Sequence, residues 1–237
     1  MVFIQNFVSA ILGGIAVALG SVAYLALFEQ SVFAASFLFA LGFLMVAIFD
    51  LALFTDRVGF LFQKGHIEEN VKKLFITLFG NAIGAWIIGF AFMSKYTAAA
   101  KVIFRPKLDY SPVSVLVGAL VCGALIYVAI HGYRRAGGGM ASCLILTVSA
   151  SIIPLCNLEY AVSNLFYMGA ALHKFSLYTS NAFDILFLIL LSAAGNALGA
   201  MIFSMLYKFK SEDYLENRKH KHHHHHHHSH SESEDNQ

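Results

Sequence analysis

Apolar residues run almost unbroken over roughly residues 3–28, 32–62, 74–94, 112–130, 140–171 and 182–207. About 20 such residues cross a bilayer as a helix, so the pattern predicts six transmembrane helices. The second and fifth runs are too long for one straight crossing. About 31 residues would rise roughly 46 Å as a helix, against a hydrocarbon core of about 30 Å. Neither run contains a loop that could carry the chain back across, so both are predicted to be broken helices. The interruptions are written in the sequence: "VAIFDLALFTDRVGF" sets Asp50, Thr55, Asp56 and Arg57 among apolar residues. "SIIPLCNLEYAVSNLF" does the same with Pro154, Asn157, Glu159 and Asn164. Proline removes a backbone donor and clashes with the preceding turn, which places a break near Pro154. Non-helical backbone at membrane depth survives only against protein or a cavity.

The six spans divide as three plus three, with the broken helix in the middle of each half. A short phrase marks the third member of each: "FGNAIGA" from Phe79 and "AGNALGA" from Ala194. Gly80 and Gly84, like Gly195 and Gly199, are four apart on one helix face and admit a second helix closely. Asn81 and Asn196 are then positioned to bond the freed backbone of a broken neighbour. An odd number of spans per half inverts the second copy relative to the first. Paired interrupted helices in such repeats point to a pathway near the midplane. The expected fold is an all-α integral membrane protein of six transmembrane helices in two inverted three-helix repeats, about 1–100 and 108–210. Residues 211–237 are expected to form a disordered His-rich tail.

Composition agrees with the pattern. Of 237 residues, 58% are hydrophobic and 13% charged, with a mean hydropathy of +0.66. A soluble domain carries about 25% charged residues. The first run has no basic segment before it and reads as a retained span. Cys122, Cys143 and Cys156 lie in apolar stretches without metal-binding spacing and read as small buried side chains. With the N-terminus inside, eleven Lys and Arg fall on the cytoplasmic side and five (Lys95, Lys101, Arg105, Lys107, Lys174) outside. That bias predicts both termini in the cytoplasm. No nucleophile, metalloprotease or redox motif is present, so neither an enzyme nor a cofactor is expected, and nothing suggests nucleic acid.

Four ordered stretches, "DLALFTDRVGFLF", "LFGNAIGA", "NLEYAVSNLFYMGAAL" and "AAGNALGAMIFSMLY", resemble the formate/nitrite transporter family over about residues 3–208. That family includes formate, nitrite and hydrosulfide channels and lactate transporters. The resemblance implies an aquaporin-like protomer with its own pore, assembled as a homopentamer in the lipid bilayer, and small monovalent anions as substrates. Thr55 matches the threonine of the loop interrupting the second helix. Phe39, Phe43, Phe54 and Ile153 match positions of the apolar constrictions, and Lys107 a basic residue of the outer vestibule. Glu159 and Asn164 match the "E-H-x-x-x-N" pattern of the fifth helix, whose central histidine is here Tyr160. A histidine titrates near pH 6.5, whereas a tyrosine with a pKa of about 10 is a neutral donor. An asparagine usual in the fourth helix corresponds to Gly123.

Competing readings stand beside these. Thr55 either lines the pore or bonds its own backbone. Lys107 either attracts anions or is a solvated loop lysine. Glu159 is either functional or a structural acceptor for broken backbone. An aquaporin-like pore for neutral small solutes fits the two-half pattern as well as an anion channel does. No metal site is expected within the spans; only His222–His228 of the tail could bind a metal.

Overall fold

The computed structural model describes residues 2–59, 61, 67–171 and 176–231, with side chains outside the description at 2, 176–180 and 212–231. Among the described residues no strand occurs; the chain is helical. Helix α1 (Val2–Leu27) is followed by α2 (Val32–Ile48), a short α3 (Phe54–Val58) and α4 (Ile67–Ala91). Next come α5 (Met93–Phe104), a 3-10 turn at Arg105–Asp109, α6 (Pro112–Arg135), α7 (Met140–Leu155), α8 (Ala161–Ala171) and α9 (Ser176–Ser231). Within α9 the backbone departs from helical geometry at Asn181.

Four segments are long and apolar enough to cross a membrane: Phe3–Leu27, Ile67–Ala91, Pro112–Arg135 and Asn181–Ser211. Helices α2 and α7 are apolar but short. The 17 residues of α2 rise only about 26 Å. Each is followed by unwound chain, Leu51–Leu53 or Leu158–Tyr160, and then by α3 or α8. Helical structure thus gives way beside Asp50 in the first long run and beside Asn157 in the second.

Helix α1 packs on α4 and α2, and α6 packs on α9 and α7. Glycine makes the tightest of these contacts possible. A Cβ at Gly84 would strike the Ile11 carbonyl of α1, and one at Gly199 the Leu120 carbonyl of α6. Gly80 abuts Ala10 and Gly195 abuts Ala119 in the same way. At Gly123 a Cβ would overlap the Asn196 carbonyl, so the residue standing where an asparagine is usual is required here by backbone contact. The outward surfaces remain apolar, with Phe33 72%, Phe183 78% and Phe209 73% exposed.

Three boundaries differ from the sequence pattern. Helix α4 begins seven residues before its apolar run, because Glu68–Lys72 and Glu69–Lys73, both 2.7 Å, support an amphipathic first turn. The link before the fourth span is not a loop: its alanine-rich "MSKYTAAAKVIF" forms α5, consistent with the high helix propensity of alanine and lysine. The described backbone of α9 runs to Ser231, past the end of its apolar run near residue 207. Extending a helix already anchored by packing costs far less than starting one.

Candidate functional site

Both breaks are built by one local device. Helix α2 closes with Phe49 N–H donating to the Met45 carbonyl, Asp50 in left-handed backbone (φ 48°), and Leu51 N–H donating to the Val46 carbonyl. Helix α7 closes with Cys156 N–H on the Ile152 carbonyl, Asn157 at φ 51°, and Leu158 N–H on the Ile153 carbonyl. This is the Schellman ending, with Asp and Asn in the position glycine usually takes; both tolerate that conformation better than other side chains.

The unwound backbone beyond each ending is held by one asparagine. Asn81 Oδ1 accepts from Phe54 N–H at 2.8 Å, while its Nδ2 donates to the Ala52 carbonyl at 2.9 Å and the Ala10 carbonyl at 2.7 Å. Asn196 Oδ1 accepts from Ala161 N–H at 3.0 Å, while its Nδ2 donates to the carbonyls of Glu159 at 2.7 Å and Ala119 at 2.9 Å. Both side chains are wholly buried. The Gly-Asn phrase thus places an amide where a helix interruption leaves backbone groups without partners.

The frames match, but the chemistry they carry does not. Where the first break has Ala52 and Leu53, the second has Glu159 and Tyr160. Glu159 Oε1 accepts from Lys107 Nζ at 2.9 Å, with the side chains 2% and 3% exposed. Glu159 Oε2 accepts from Asn164 Nδ2 at 2.9 Å. Lys107 sits in the 3-10 turn, folded inward against the carboxylate, and this corrects the reading of a solvated loop lysine. Removing two charges from water carries a penalty of several kcal/mol for each. Only close pairing with further hydrogen bonds offsets it, as the Asn164 bond does here.

Beside this pair, several polar atoms are buried without a partner: Tyr160 Oη, Asn164 Oδ1, Ser163 Oγ and Thr55 Oγ1. A cavity of about 20 Å³ has Phe39, Ile153, Lys107, Tyr160 and Asn164 in its lining. That is room for a single water. Thr55 does not line it. Unpaired buried polar groups are costly, about 1–3 kcal/mol each, so a site that keeps several is suited to a polar guest.

The apolar side chains expected at constrictions fall into two groups. Phe39 and Phe43 pack with ring centroids 5.6 Å apart, and Phe43 packs on Tyr160 at 5.7 Å. Ile153 belongs to the same core. Phe54 lies in a separate cluster with Val58, Tyr127 and Ala200.

Two features here are not legible in the sequence pattern. Arg134 bridges Asp56 Oδ2 at 2.7 Å and Asp50 Oδ1 at 3.0 Å, tying the end of α6 to the first break. In the sequence it registers only as one of the charges that orient the protein. His131, a lone imidazole near the end of an apolar run, stacks on Tyr127 at 5.0 Å and meets Tyr207 edge-on at 5.5 Å. Its Nε2 is buried without a partner. Among the described residues no group of three metal-ligating side chains forms. His222–His228 lie outside the described side chains.

The Formate/nitrite transporter family model matches residues 1–209. Among solved structures, a pentameric formate channel with formate bound aligns with a TM-score of 0.74 at 20% identity, covering 90% of this chain and 98% of that one. An FNT family ion channel aligns with a TM-score of 0.78 at 19% identity, covering 88% and 90%. At these identities the structural likeness is one of fold. No curated protein sequence matches the chain.

Proposed function

The chain belongs to the formate/nitrite transporter family, and from that membership we propose that it conducts small monovalent anions, or their conjugate acids, across a membrane. Formate, nitrite, hydrosulfide and short acids of similar size are the candidate substrates. The observation that carries this reading is the buried cluster of Lys107, Glu159, Asn164 and Tyr160, which keeps unpaired polar atoms at a broken helix between two apolar groups. Phe39, Phe43 and Ile153 form one constriction and Phe54 the other, and each strips water from the solute. Thr55 and Tyr160 then supply hydroxyl donors.

The cluster favours a protonated guest. Lys107 is already neutralised by Glu159, so little net positive charge is left for a bare anion. Tyr160 offers a donor and Asn164 Oδ1 an acceptor, which together match the paired acceptor and donor of a small carboxylic acid. In this reading Glu159 holds the broken backbone and the lysine together, and the solute meets neutral groups. The matched breaks, with Asn81 and Asn196 holding each, support six spans in two inverted repeats. The apolar outer surface supports a homopentamer like that of the solved formate channel. Both termini are assigned to the cytoplasmic side from the Lys and Arg bias, and residues 211–237 lie outside the channel domain.

Reconstitution into liposomes tests the reading. Formate or nitrite uptake well above protein-free vesicles is the expected result. Glycerol or water permeation without acid uptake refutes it in favour of a neutral-solute pore.

A further inference from the structure

We propose that His131 exchanges a proton with the transported acid at the Arg134 end of the channel, a role that rests on the acid-transport reading above. The second break has no imidazole, because Tyr160 occupies that place. Among the described side chains, His131 is the one imidazole. His131 adjoins the apolar group of Phe54, Val58, Tyr127 and Ala200 through Tyr127, which belongs to that group and stacks on the imidazole. The rings of Tyr127 and His131 are 11° from parallel, and Tyr207 of α9 closes over the other side. Stacking of this kind fixes the ring plane.

The surroundings suit proton exchange with an anion. The rings against the imidazole are Tyr127 of α6 and Tyr207 of α9, and the charges that act on it are Asp56 of α3 and Arg134 and Arg135 of α6; Asp50, at the first break, is linked through Arg134. Within this group the two arginines balance the two aspartates, so protonating His131 adds one positive charge to it. Arg134 takes Asp56 Oδ2 and Asp50 Oδ1, leaving Asp56 Oδ1 buried without a partner, just as His131 Nε2 is. A small acid or a water that both donates and accepts hydrogen bonds would complete both groups.

The exchange is a simple transfer. The Nε2–H bond of the imidazolium breaks, a carboxylic O–H bond forms on the arriving anion, and the neutral acid enters the apolar group. The imidazole then recovers a proton from bulk water, since His131 is only partly buried. Outward passage runs the same steps in reverse.

The pH profile separates this route from simple entry of the neutral acid. Above its own pKa, a carboxylic acid falls about tenfold in neutral form per pH unit, without a plateau. A histidine donor instead gives flux that is level below the imidazole pKa and falls above it. Formate uptake into proteoliposomes is measured from pH 5 to 8 for the wild type, His131→Gln and Tyr160→Phe, with thermal midpoints recorded for each. The wild type and Tyr160→Phe are expected to show the plateau, and His131→Gln to lose it, with uptake falling about tenfold per pH unit. A plateau that survives in His131→Gln overturns the assignment, and so does a wild type without one. If His131→Gln does not fold, the wild-type profile decides alone: an edge within roughly pH 5–8 supports the role and its absence refutes it. No formate flux at any pH in the wild type instead defeats the acid-transport reading itself.

Discussion

Replacing Asn81 or Asn196 by alanine tests how the broken helices are held. Asn81→Ala leaves Phe54 N–H and the Ala52 carbonyl without the side chain that bonds them, in a fully buried setting. The third partner, the Ala10 carbonyl, lies inside α1, where the helix already supplies it with a donor, so its loss counts for little. A buried backbone group left unpaired costs about 1–3 kcal/mol, so two cost roughly 2–6 kcal/mol. Whole domains are stable by only about 5–15 kcal/mol, which makes this a large fraction. Asn196→Ala exposes the equivalent pair, Ala161 N–H and the Glu159 carbonyl, and is expected to lose a similar amount. The two asparagines share no partner, so their effects are expected to add within about 0.5 kcal/mol. Reversible unfolding of wild type, both single variants and the double variant in mixed micelles measures these differences. A loss below about 1 kcal/mol for either single variant refutes the claim that its amide holds the break. Marked non-additivity refutes the independence of the two halves.

The Lys107–Glu159 pair is expected to act as a unit. Lys107→Met or Glu159→Gln alone leaves one buried charge uncompensated and costs about 3–5 kcal/mol, whereas the double variant recovers much of that loss, which a double-mutant cycle on unfolding detects. At position 160, Tyr160→Phe is expected to lower uptake by removing the unpaired hydroxyl while keeping the ring that packs on Phe43. Uptake in Tyr160→Phe equal to wild type limits the residue to packing.

The pattern of apolar runs determined the membrane class and the all-helical fold, and set the polar residues where helix gives way between α2 and α3 and between α7 and α8. These follow from local rules: a helix has a fixed rise, a bilayer a fixed thickness, and proline or a cluster of polar residues interrupts a buried helix. The Gly-Asn phrase was legible for the same reason, since small residues four apart and a buried amide have few uses within a membrane. Boundaries set by weaker effects were not. The early start of α4 depends on charge pairs and α5 on alanine content, and neither registers in hydropathy.

Only the tertiary structure decided the chemistry of the cluster. Lys107 and Glu159 are 52 residues apart, and nothing local indicates that the 3-10 turn folds inward to place an ammonium on that carboxylate. The bond between Arg134 and Asp56 spans 78 residues and is equally invisible along the chain. In sequence His131 is one imidazole at the end of an apolar helix; its orphaned nitrogen, its stacked ring and the balanced charges around it arise only when α3, α6 and α9 meet. Hydropathy reports the transfer of a residue from water into an apolar medium. Which charge meets which other charge there depends on where long-range packing brings the helices together.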